Sequence, residues 1–149
     1  MSREFLLGEG MYSKLLSYIR AARRAVFIMT AFTDVAAIRE LINIAERSVT
    51  VFIALLRKGR NYHMEAIRQL NLELSKRSLP IRCYTRSNIH AKMYIIDYRI
   101  VIKGSINFAS WSDKNVENVD IVENEDYAIS AAVEFMRQLL DPDTKPCKS

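Results

Sequence analysis

A chain of 149 residues, 50% of them hydrophobic, is the size of one domain with its own core, able to bury roughly two-thirds of its unfolded surface. A formal charge of +5 and an isoelectric point near 9.3 suit a polyanionic partner without establishing one. The longest apolar runs, such as Ala25 to Phe32, are too short to span a bilayer as a helix.

Met11 to Ala22 carries Leu15, Leu16 and Ile19 at helical spacing, and Ala25 to Phe32 reads as a buried strand. Thr33 and Asp34 supply N-cap chemistry for a helix over Val35 to Arg47, and Val49 to Leu56 is a second buried strand. A basic loop, Arg57 to Arg60, leads to a helix over Met64 to Lys76, with His63 expected on the surface at its start. A short strand follows at Ile81 to Tyr84, then a hairpin of Ala91 to Ile96 and Arg99 to Lys103. Val116 to Val122 is a further strand, and Tyr127 to Leu140 a closing helix. Residues 1–140 form the expected domain. Asp141 to Ser149, with two prolines, reads as a flexible tail. The N-terminus has no signal-peptide pattern. Cys83 and Cys147 belong to no C-x-x-C pair, so two reduced thiols in a cytoplasmic protein are expected, with no zinc site. Strands alternating with helices, then a hairpin, indicate an α/β fold with a mixed sheet.

The chemistry is concentrated in the hairpin. His90-Ala91-Lys92, Asp97 and Gly104-Ser105-Ile106-Asn107 spell H-x-K-x4-D-x6-G-S-x-N with every fixed position filled. At average residue usage the six fixed identities coincide by chance in roughly one window in 10^7 to 10^8. Such a run resembles the HKD motif of the phospholipase D superfamily, and Asn115-Val116-Glu117-Asn118 resembles the N-x-E-N segment of its small nucleases. The resemblance implies a mixed β-sheet with helices on both faces, and phosphodiester cleavage through a phosphohistidine without a metal or other cofactor. It assigns nucleophilic attack to His90, and stabilisation of the phosphate oxygens to Lys92 and Asn107, with Ser105 as a further donor. Glu117 is the candidate to hold an imidazole nitrogen, and Asp97 is a hairpin anchor within the site set. Members of the family build each site from two motifs. One motif per chain therefore implies a homodimer, in which the two histidines must hold different protonation states. Tyr98 stands where many members have glycine, which suggests a different turn type.

Arg57, Lys58 and Arg60 follow a strand, where α/β sheets place ligand loops, and Trp111 could stack on a base, so these are the candidate substrate contacts. Small size, a single motif and net positive charge favour a nuclease acting on DNA or RNA. A lipid phosphodiesterase would want an interfacial apolar surface, and none stands out. A nucleic-acid-binding module without turnover would be expected to have lost the histidine or lysine.

Overall fold

The computed structural model describes residues 1–148, and its centre is a mixed sheet of 8 strands. In chain order these are β1 (Ser2–Gly8), β2 (Ala25–Met29), β3 (Thr50–Leu56), β4 (Ile81–Arg86), β5 (Met93–Ile96), β6 (Ile100–Gly104), β7 (Glu117–Glu123) and β8 (Lys145–Pro146). They lie side by side as β1-β7-β6-β5-β2-β3-β4-β8. Pairs β2–β3 and β3–β4 are parallel, and every other pair is antiparallel. Helices α1 (Met11–Arg20), α2 (Val35–Glu46) and α3 (Asn61–Lys76) pack on one face through Leu15, Ile19, Ile38, Leu41 and Leu70. On the opposite face α4 (Glu125–Gln138) packs Ala128, Ala132 and Phe135 against Phe27, Ile95 and Val101. Because β2 is sandwiched between both layers, all its residues are buried and its sequence is continuously apolar. The expected fold, a mixed sheet with helices on both faces, is the one formed.

Two helix starts follow from their caps. Asp34 accepts the Ala37 N–H at 2.9 Å, and Asn124 accepts the Tyr127 N–H at 2.9 Å. Asp34 also holds Ser110 through N–H and hydroxyl, and so ties α2 to the segment after the motif.

The N-terminus, for which no element was expected, forms β1, an edge strand whose Phe5 and Leu7 are exposed. Two expectations change. Asp141 onward is not a frayed tail, save that Ser149 lies outside the described residues. Lys145 and Pro146 pair with β4, Cys147 is buried, and Asp143 takes hydrogen bonds from Ser87 and Arg57. Finally, Cys83 and Cys147 form a disulfide across a sequence separation of 64, and the expected reduced thiols are absent. A partner strand and a covalent link supply what the tail's own composition lacks.

The β5–β6 turn is tight. Asp97 and Tyr98 have φ of 55° and 56°, and Arg99 N–H bonds to Ile96 O at 3.0 Å. Two successive left-handed residues make a type I′ turn, the ordinary one for a two-residue hairpin, here with tyrosine at its second central position. Its ring offsets the strain: it packs edge-on to Phe27 at 5.5 Å, beneath the Arg24 guanidinium at 5.2 Å.

Candidate active site

The parallel strands β2, β3 and β4 end at the same side of the sheet, and the registers bring the start of β5, the end of β6 and the start of β7 there too. Met29 pairs with Met93, Met93 with Lys103, and Gly104 with Val119. His90 and Lys92 lie just before β5, Ser105 and Asn107 just after β6, and Glu117 opens β7. One sheet end therefore collects all of them, the place where α/β sheets carry ligand sites.

His90 is exposed, and among the described residues its side chain makes no hydrogen bond. Lys92 is half-buried, with Nζ 3.2 Å from His90 O and no carboxylate partner among the described residues. Asn107 is held by its carbonyl: Oδ1 accepts from Phe32 N–H at 3.3 Å and lies 3.2 Å from Thr30 Oγ1. The backbone donor fixes which end of the amide faces the protein, and Nδ2 is left as a donor. Tyr94, fully buried, donates to Ile106 O at 2.6 Å and anchors the loop between Ser105 and Asn107. Burial pushes its phenol well above the usual range, so it remains a donor at every ordinary pH.

Within the protomer Ser105 and Glu117 bond to each other. Ser105 N–H bonds Asn118 O at 3.0 Å, Asn118 N–H returns to Ser105 Oγ at 3.0 Å, and Ser105 Oγ donates to Glu117 Oε1 at 2.6 Å. The hydroxyl proton is therefore spent on Glu117, and Glu117 bonds Ser105 and not His90. Gly104 is required beside this clasp, since a Cβ there would lie 2.0 Å from Asn118 O. The G-S and E-N parts of the sequence pattern thus lock to each other.

Asp97 sits at the opposite end of the sheet, one strand of 4 residues away from the histidine loop, or roughly 13 Å. Its carboxylate accepts N–H groups from Arg23, Arg24 and Ala25, at 2.8 to 3.2 Å. It anchors the hairpin to the start of β2, away from the sheet end that holds His90. Arg57, half-buried, binds Thr85 and Asp143, and so holds the C-terminal segment. Lys58 and Arg60 are exposed at the end of β3, on the motif side. Trp111, on a 3₁₀ turn at Ser110–Lys114, is 37% exposed and meets Tyr62, 38% exposed, edge-on at 6.1 Å. Tyr62 had no sequence signal of its own.

His63 is buried, against the expected surface position. Nδ1 accepts from Thr33 N–H at 3.1 Å and Nε2 faces Leu56 O at 2.8 Å, which defines a neutral imidazole protonated on Nε2. Gly59 makes room for it, because a Cβ there would lie 2.6 Å from His63 Cδ2. Burial lowers its pKa from 6.5 despite the Leu56 bond. A lowered histidine value means the folded state binds the proton later than the unfolded chain does. Stability is then full above about 6.5 and declines as pH falls from there toward the lowered folded value. Thermal unfolding from pH 8 to pH 5 is expected to show this decline in the wild type and a shallower one in His63→Gln. Parallel curves would contradict it.

The family described as cardiolipin synthase, PLD-like domain, matches residues 15–139. Among solved structures, the phospholipase D family member Nuc from Salmonella typhimurium superposes with TM-score 0.81 at 23% identity, covering 99% of this chain and 100% of that one. NucT from Helicobacter pylori gives 0.71 at 18%, covering 93% and 95%. The archaeal chromatin protein TrmBL2, described with a novel mode of DNA binding, gives 0.69 at 13%, covering 93% of this chain and 52% of that one. No curated protein sequence matches.

Proposed function

Since the chain belongs to the phospholipase D-like family, we propose that it is a metal-independent phosphodiesterase, a nuclease that cuts DNA or RNA in a site shared by two copies of the chain. The observation that carries this reading is the convergence of His90, Lys92 and the free Asn107 amide on one sheet end, with Asn107 locked through its carbonyl. The imidazole of His90 attacks phosphorus and forms the P–N bond, while His90 of the partner subunit protonates the leaving oxygen as the P–O bond breaks. That second imidazole then takes a proton from water, whose oxygen displaces His90 and releases the phosphate. Lys92 and Asn107 Nδ2 stabilise the charge on the non-bridging oxygens in both steps. Ser105 and Glu117 act as positioning residues through their clasp. Lys58, Arg60 and Trp111 guide the strand.

The dimer follows from chemical arithmetic: attack and protonation need two imidazoles, and His63 is spent on Thr33 and Leu56. Isologous pairing supplies the second. Charge favours a nucleic acid over a lipid. Likeness to DNA-binding TrmBL2 is in keeping with that choice. Among the described residues no helix is long and apolar enough to cross a membrane. The disulfide removes the support that reduced thiols gave to a cytoplasmic location.

Incubation with plasmid, single-stranded DNA, RNA and phospholipid vesicles, each with excess chelator, tests the reading. Cleavage of a nucleic acid that persists in chelator is expected. Turnover of vesicles alone, or a strict need for magnesium, would overturn it.

A further inference from the structure

Beside His90, on the α4 side of the sheet, the surface dips into a cavity of about 380 Å³. Its walls are apolar: Met29, Ile89 and Met93 on the sheet side, with Phe135 of α4 opposite. Two amides, Asn88 and Gln138, line it as well. Asn88 is exposed, and its side chain makes no hydrogen bond among the described residues. Gln138 gives its Oε1 to Arg86 Nη1 at 2.9 Å, which leaves its Nε2 as a donor. The nearby charges are only partly matched, since the buried Arg86 Nε has no hydrogen-bond partner among the described residues. Arg86, 7% exposed, faces Asp141 at 3.6 Å and Asp143 at 4.0 Å, and Glu134 pairs with Arg137 at 3.6 Å.

Resting on the nuclease reading, we propose that this cavity takes one unpaired nucleobase, that of a nucleotide flanking the scissile phosphate, and that the substrate is therefore a single strand. Apolar walls suit the faces of a base, and amides carry the donor and acceptor pairs that match its edge. The same walls suit the neutral part of the nucleotide, so the base enters and the backbone stays outside, beside His90. A base inside a duplex is turned toward its partner strand and cannot reach such a recess without being flipped out. The lining includes His90 itself, which sets the occupied nucleotide next to the bond that breaks.

The test uses single-stranded DNA of defined sequence, the same strand with one abasic residue, and the fully paired duplex. Wild type is expected to cut the linkage on one side of the abasic residue at least tenfold more slowly than the same linkage in the intact strand, and the duplex at least tenfold more slowly throughout. Asn88→Leu/Gln138→Leu, both at exposed positions outside the catalytic set, is expected to slow cutting of the intact strand tenfold and to leave the abasic linkage at the wild-type rate. A readout independent of turnover uses 2-aminopurine in the strand: its fluorescence should change on binding to the inactive His90→Ala protein, and change less when Asn88 and Gln138 are also replaced. Equal cutting of intact and abasic linkages, or of strand and duplex, overturns the pocket while the nuclease reading stands. No cutting of any nucleic acid overturns that reading and this one with it.

Discussion

His90→Ala is expected to lower turnover about a thousandfold or more, as loss of a covalent nucleophile does, while the protein unfolds at the wild-type temperature. The fold should survive because His90 is exposed in a loop and its side chain makes no hydrogen bond among the described residues. Steady-state rates and a melting curve check both halves. More than a tenth of the wild-type rate would remove His90 from the chemistry. The shared site adds a sharper consequence. If each site needs one histidine from each copy, a heterodimer of wild-type and variant chains lacks either the nucleophile or the acid. After subunit exchange, nine equivalents of His90→Ala should leave about a tenth of the wild-type activity, the fraction of wild-type chains still paired with their own kind. Undiminished activity would mean each chain works alone.

The largest expected effect on stability belongs to Gly104→Ala. A Cβ at this position would stand 2.0 Å from a backbone oxygen, Asn118 O, which no side-chain rotation relieves. Either β6 and β7 part at this end or the chain before Ser105 twists. Both routes break the reciprocal bonds between Ser105 and Asn118. The cost should reach about 3 kcal/mol, at the upper end of overpacking in a close-packed interior. Chemical denaturation measures it. Activity should fall further than stability requires, because Asn107 lies only a few residues beyond the displaced strand. A change below about 0.5 kcal/mol, the range of ordinary surface substitutions, would contradict the close approach.

The reach of the sequence is clear from individual residues. The run from Ala25 to Met29 announced a strand covered on both faces, and the motif spacing located His90, Lys92 and Asn107 at one sheet end. β1 was hidden because an edge strand leaves Phe5 and Leu7 in solvent and so shows no clean alternation. Arg57 looked like a phosphate ligand in its basic run. Its role is set by Asp143, 86 residues later, and no local pattern carries that pairing. The same distance hid the packing of the tail, since β8 has 2 residues and is held by a distant strand and a disulfide. His63 at a helix start resembled any surface histidine. Only the fold brings Thr33 and Leu56 to its two nitrogens. Ser105 and Glu117 were found by pattern, but their bond to each other was not legible, because a motif names residues without saying which of them meet.

The claim on which the account turns is a covalent bond between His90 and the scissile phosphate. Rapid acid-free quenching of a reaction on a strand labelled at its phosphates, followed by denaturation and peptide mapping, tests it directly. The expected result is label on the peptide containing His90, stable to base and lost in acid, present in wild type and missing in His90→Ala. Turnover that proceeds with no label on the protein, or with label on another residue, would contradict it.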